Sequence, residues 1–199
     1  MACLILVYQN SIKEKIFPQI LGFIGDFKFS TDVPSQVIKF KKSGLIPAFS
    51  VETNEDQITG MYKGVQLQLF ETHLQKWKYR GKRSRLVTVF NGLIIVLNMN
   101  KDFSGKTLVK RDKGFVSNWF GNKSSGLENV KLEDPKFEEI FEVYATDQIE
   151  ARYLLTVSFM ERLLELADIF NNAEIQICFE DNNLLMTIPL RKPIFEPGP

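Results

Sequence analysis

The sequence predicts an α+β fold, a twisted and mainly antiparallel sheet from about Ile46 to Arg111 and from Glu174 to Ile188, covered by helices from the N-terminus and from the C-terminal half. Three patterns carry this. Apolar and polar residues alternate through Gln57–Tyr62 and Val65–Leu69, the period of half-buried strands, and Arg85–Leu97 is dense in Val, Ile, Leu and Phe. Apolar residues recur at intervals of three and four in Ile12, Ile16, Ile20, Phe23 and Ile24, and again in Phe159, Leu163, Leu166, Ala167 and Phe170, the period of amphipathic helices. Alternation then returns at Ile175, Ile177 and Phe179, and Asp181-Asn182-Asn183 turns the chain into Leu184–Ile188, a closing hairpin.

In chain order, Asn10 or Ser11 can cap the first helix, and Pro18 inside it calls for a kink or an early stop. Phe27 and Phe29 alternate with polar neighbours before Asp32-Val33-Pro34, where a second short helix is expected to begin and run to Gly44, its C-terminal cap. Lys63-Gly64 and Asn91-Gly92 mark tight turns or bulges, and Arg80-Gly81-Lys82-Arg83-Ser84 is a polar connection between two long strands. Thr107–Arg111 offers one more strand. Gly114 to Gly126 reads as a loop carrying Phe115, Trp119 and Phe120, and the prolines from Pro189 to Pro199 close the chain in an extended tail. The expected organisation is an N-terminal helical flank over residues 1–45 and an α+β domain over 46–199, together one structural unit.

The strongest signals lie between Leu132 and Phe170. Asp134 and Pro135 suit the cap and the first position of a short helical turn through Ile140, after which Phe141, Val143 and Ala145 alternate as a strand. Asp147 with Glu150, and Ser158 with Glu161, match the capping-box spacing, so two helices or one bent helix follow and end at Asn171-Asn172. Strand connectivity is not deducible from these patterns. A small barrel capped by a helix, of the pleckstrin-homology type, is the alternative closure.

A chain of 199 residues with 44% apolar and 25% charged residues is long enough for one ordinary core. Cys3 and Cys178 are too few and too far apart for a disulfide framework or a zinc site, which fits a reducing compartment. The apolar run from Cys3 to Tyr8 is far short of the roughly 20 residues needed to cross a bilayer. Its plain reading is a buried strand or first helical turn; it would also fit the stub of a longer hydrophobic segment. The expected location is therefore the cytoplasm, or the cytoplasmic face of the inner membrane if a hydrophobic anchor precedes Met1.

The net charge of +1 conceals a separation, +10 between Lys76 and Lys123 and −10 between Glu128 and Asp181. Most charge runs are solvated faces. The functional reading takes Lys76, Lys78, Arg80, Lys82, Arg83 and Arg85 as a docking edge, with Trp77 and Tyr79 interleaved and the aromatic loop of Phe115, Trp119 and Phe120 as an accessory. On a strand the charges would share one face and the rings the other, which disfavours nucleic acid and suits an anionic lipid surface. His73 is the single histidine, so multi-imidazole metal sites and most Ser-His-Asp or Cys-His arrangements are excluded. No phosphate-loop or dinucleotide motif occurs, Gly121–Gly126 having the composition of a phosphate loop but not its spacing. No cofactor and no metal site is expected, and carboxylate pairs such as Glu138-Glu139 and Glu133-Asp134 read as exposed helix ends.

Leu132-Glu133-Asp134-Pro135, Phe137, Val143-Tyr144-Ala145-Thr146-Asp147, Glu150-Ala151-Arg152-Tyr153-Leu154-Leu155-Thr156, Phe159–Leu163 and Phe195-Glu196-Pro197 form an ordered set of motifs. This set resembles the bacterial family known as domain of unknown function 3137. Ile58–Val65, Val89–Leu93 and Phe103–Thr107 also look like that family's, and Val157 stands where its members tend to have proline. The resemblance implies no activity and no catalytic residues, only that hydrophobic segments often precede this region. The leading expectation is a non-enzymatic, cytoplasm-facing binding or scaffold domain of a bacterial membrane-associated protein, with an anionic lipid surface or a protein as partner. A carboxylate-based hydrolase is the alternative, and nucleic-acid binding ranks last.

Overall fold

The computed structural model describes residues 2–81, 83–111 and 126–195, with side-chain surroundings from residue 13 onward. The fold is α+β, and its antiparallel sheets are open rather than closed into a barrel. Two compact units divide the chain, residues 1–98 with 189–199, and residues 99–188.

The first unit holds α1 (Ala2–Ile24), β1 (Asp26–Ser30), a 3-10 helix (Val37–Ser43) and three long strands, β2 (Val51–Tyr62), β3 (Val65–Arg80) and β4 (Arg83–Asn98), in the order β1-β2-β3-β4. The apolar run at Cys3 is helical, part of α1, and the helix continues through Pro18 instead of stopping there. Packing offsets the lost backbone bond: Lys13 and Leu21 are buried at four-residue multiples along one face, and Phe17 between them stacks on Phe29 at 4.7 Å. The second helix begins at Val37 rather than near Pro34, and Gly44 ends it as expected with φ +75°.

Lys63-Gly64 makes the expected two-residue turn, both residues at positive φ. Of the polar connection expected over Arg80–Ser84, Arg80, Arg83 and Ser84 are strand residues, because Arg80 pairs with Arg83 and Tyr79 with Ser84. Asn91-Gly92 lies inside β4, and the bulge falls at Val89, between the pairs Leu74–Phe90 and Gln75–Thr88. A second bulge, at Asp56 in β2, aims that side chain at α1, where Lys13 Nζ lies 2.6 Å from Asp56 Oδ2 with both side chains at least 96% buried. Gly60 lets β1 approach, since a Cβ there would meet the Asp26 carbonyl and lie 2.9 Å from Phe27 Cα.

Directly paired residues share a face, so the pleat sorts β3 into two sets. Odd residues face α1, as Phe29 pairs with Ile58 and Ile58 with Leu69. Even residues face the 3-10 segment: Glu52 pairs with Leu74 and takes the Gln36 and Val37 amides at 2.7 and 3.0 Å, and Gln68 donates to Gln36.

The second unit contains β5 (Thr107–Arg111), β6 (Glu128–Val130), α2 (Pro135–Ile140), β7 (Phe141–Ala145), α3 (Gln148–Leu154), α4 (Val157–Ile169), β8 (Gln176–Glu180) and β9 (Asn183–Pro189, whose last residue falls in the first unit). Its strands run β9-β8-β5-β7-β6. Asp134 caps α2 with Pro135 at its first position, and the closing hairpin turns at Asp181, both as the sequence predicts. The stripe of α4 buries Leu163 and Ala167 together with Met160, and Phe159 meets the Phe179 ring at 5.7 Å.

Neither capping box forms. Asp147 caps α3, but the Glu150 carboxylate takes the Ser104 and Gly105 amides at 2.8 and 2.9 Å instead of returning to its own helix. Thr156, not Ser158, caps α4, because a helix beginning at Val157 places Thr156 within reach of the Phe159 amide.

Two measurements check these anchors. Glu150→Ala orphans two amides and is expected to cost about 1–3 kcal/mol in chemical denaturation, with Glu150→Gln costing less because one acceptor oxygen survives. For Glu52, burial pushes the carboxyl pKa up, but the Val37 and Gln36 amides with Asn54 and Ser35 outweigh it and hold it below the ordinary glutamate value. A depressed carboxylate contributes stability above its unfolded pKa that is lost as pH falls through its folded pKa. Glu52→Gln should therefore show a shallower acid limb in stability measured from pH 6 to pH 3.

Candidate functional site

β2 begins at Val51, opposite Gln75, so Lys76–Arg80 of β3 and their β4 partners run past it as a ribbon of about 16 Å, at roughly 3.3 Å per residue. Its pairs are Lys76–Val87, Trp77–Leu86, Lys78–Arg85, Tyr79–Ser84 and Arg80–Arg83. One face thus carries Lys76, Lys78, Arg80, Arg83 and Arg85, and the other carries Trp77 and Tyr79, 40% and 77% exposed. Lys78 faces Arg85 and Arg80 faces Arg83, like charges that repel when directly opposite. Among the described residues no carboxylate forms an ion pair with any of the five cations. A depression near the end of the ribbon is lined by Lys78, Tyr79, Arg80, Arg83, Ser84 and Arg85. Lys82, Phe115, Trp119 and Phe120 lie outside the described residues.

On the odd face of the same sheet a depression of about 180 Å³ gathers Thr53, Glu55, Glu71, His73 and Asn91 beneath Leu190 and Pro193. Glu55 pairs directly with Glu71, and His73 sits between Thr53 and Asn91 with its Nε2 2.8 Å from Thr88 Oγ1. Glu71 Oε1 accepts the Ile194 and Phe195 amides at 2.7 and 3.3 Å, and the Phe195 ring packs 5.4 Å from Phe17. Burial raises the Glu71 pKa, against the two amides. Its carboxylate therefore works as a clasp for the C-terminal segment. The sequence offered one signal for this clasp, the Phe195-Glu196-Pro197 motif, and none for its partner Glu71. The Lys13–Asp56 pair also escaped sequence reading because it exists only through the bulge.

In the second unit, Lys106 donates its amide to Thr146 Oγ1 at 2.8 Å and accepts the Thr146 amide at 2.9 Å, so Phe103–Thr107 and Thr146–Glu150 form a single interlock. A Cβ on Gly105 would lie 2.6 Å from Thr146 Oγ1. Burial lowers the Lys110 pKa to about 8, against the attraction of Glu142 paired across from it. Burial also pushes the Cys178 thiol up to about 12, which keeps it a protonated, inert core residue. No three His, Cys, Asp or Glu side chains among the described residues group as metal ligands, and no helix among them is long and apolar enough to cross a membrane.

The crystal structure of the mycobacterial trehalose monomycolate transport factor A, TtfA, superposes with a TM-score of 0.52 at 14% identity, covering 90% of this chain and 82% of that one. At that identity the likeness concerns the fold alone. No curated protein matches the sequence. The family model described as Protein of unknown function (DUF3137) matches residues 88–199, more than half of the chain. The matched stretch contains the Ser104–Lys106 interlock, α2 to α4 and the Phe195 anchor; Ile58–Val65, the 3-10 helix and the ribbon precede it. With its motifs in order across that stretch, the chain belongs to the DUF3137 family.

Proposed function

We propose that this chain is a non-enzymatic binding module that docks on anionic lipid surfaces through the cationic face of the β3–β4 ribbon. The observation that carries the reading is the pair of cross-strand repulsions, Lys78 against Arg85 and Arg80 against Arg83, held without a carboxylate partner among the described residues. A chain that keeps such pairs forgoes stability unless an external anion relieves them. Each basic residue close to an anionic membrane contributes about 1 kcal/mol, and aromatic residues such as Trp77 and Tyr79 favour the headgroup level when a ribbon enters tip first. Rings and charges on opposite faces suit single-stranded nucleic acid poorly, which stacks and neutralises along one groove. The structural neighbour is named for transport of trehalose monomycolate; the lipid reading here rests on charge and exposure instead.

A carboxylate-based hydrolase is the second reading, favoured by the depression that gathers Glu55, Glu71 and His73. It ranks below because the buried carboxylate there is already occupied by two backbone amides.

Sedimentation with vesicles tests the first reading. The protein is expected to pellet with vesicles containing about one third anionic lipid and not with neutral ones, and to be released between 50 and 300 mM salt, where the screening length shrinks from about 14 to 6 Å. Changing Lys78, Arg80, Arg83 and Arg85 to Glu should lower the partition at least a hundredfold at roughly 1 kcal/mol per charge. Equal pelleting with neutral vesicles, or binding indifferent to salt, would remove the lipid reading. A gel shift retained by the wild type and lost by Lys78→Glu, Arg80→Glu and Arg83→Glu would point to nucleic acid instead.

A further inference from the structure

The ribbon is one edge of a larger cationic surface. Strand pairing assigns Lys28 to the even face, since Lys28 pairs with Thr59 and Thr59 with Gln68. That face also carries Lys76, Lys78 and Arg80 from β3 and Arg83 and Arg85 from β4. Its acidic strand residues are Asp26 and Glu52, and the Glu52 carboxylate is already taken up by Ser35, Gln36, Val37 and Asn54. The opposite, odd face carries Glu55 and Glu71.

Glu52 in turn seats the 3-10 helix on the even face, and that helix reads Val-Ile-Lys-Phe-Lys-Lys-Ser, with Lys39, Lys41 and Lys42 exposed and Ile38 58% exposed beside them. The sequence separates these lysines from the ribbon by more than thirty positions, and only the pairing of strands brings them to one side.

We propose that Lys39 and Lys41 of the 3-10 helix act with the ribbon as one docking face for the plane of an anionic bilayer, with Ile38 entering below the headgroups. The inference rests on the lipid reading above and enlarges its site. A planar anionic surface is the occupant that this layout fits, because its cations are spread over a strand extension and a separate helix instead of converging around one phosphate-sized point. Charge complementarity is broad, and the fold supplies the polarity between its two sheet faces.

The test compares matched charge reversals in the full chain by vesicle sedimentation, with circular dichroism as a folding control. Lys41→Glu is set against Lys15→Glu, an exposed lysine of α1, which packs on the odd side. Lys41→Glu is expected to lower the anionic-vesicle partition about fivefold or more, Lys39→Glu/Lys41→Glu further, and Lys15→Glu by less than twofold. Ile38→Ser should weaken binding without altering its salt dependence. If the ribbon reversals abolish binding while Lys41→Glu and Lys15→Glu behave alike, the enlarged face is overturned and the ribbon reading stands. If the wild type shows no preference for anionic vesicles, or binds only an acidic protein or nucleic acid, both fall.

Discussion

The pleat of β3 is the constraint from which the first unit takes its layout. Over sixteen residues without an inserted position, each side chain must point opposite to its neighbours. That single rule sends Phe70, Thr72 and Leu74 under the 3-10 segment, and Leu69 toward α1. It also sends Glu71 to clasp the returning C-terminal segment, while Lys76, Lys78 and Arg80 emerge on the even side where the partner strand has ended. Bulges occur in β2 and β4, the strands on either side, so twist and aim are adjusted without disturbing the alternation of β3.

Two ionic arrangements in this unit differ in kind. Lys13 and Asp56 are desolvated together, and removing either would strand a buried charge at a cost of several kcal/mol. The ribbon cations are solvated and contribute nothing comparable to folding. Their mutual repulsion is a small internal cost, tolerable because water and salt screen it. Buried charge here serves architecture, and the exposed charge of one sign does not.

The family motifs also separate by role. Ser104-Gly105-Lys106 with Thr146, Asp147 and Glu150 is a self-contained lock of backbone amides, a carboxylate and a hydroxyl in the second unit, and the glycine is required by the close approach of Thr146. Phe195 closes an aromatic group with Phe17 and Phe29 in the first unit. Motifs of this kind describe how the fold is fastened. The cationic ribbon and the 3-10 helix lie ahead of the stretch that the family model covers.

Local chemistry made several elements legible in the sequence alone: the Asp134-Pro135 helix start, the β7 alternation, the Lys63-Gly64 turn and the closing hairpin, each specified by residues within a few positions of one another. The same alternation announced that charges and rings of the ribbon would part. Where local signals competed, packing decided. α1 passes through Pro18 because its Lys13, Phe17 and Leu21 face is held, and Glu150 abandons its own helix for amides more than forty positions away. The bulge at Asp56, the clasp at Glu71 and the company that Lys39 and Lys41 keep with the ribbon belong to the tertiary structure. Each depends on which strand lies beside which, and strand register joins residues whose separation along the chain carries no record of it.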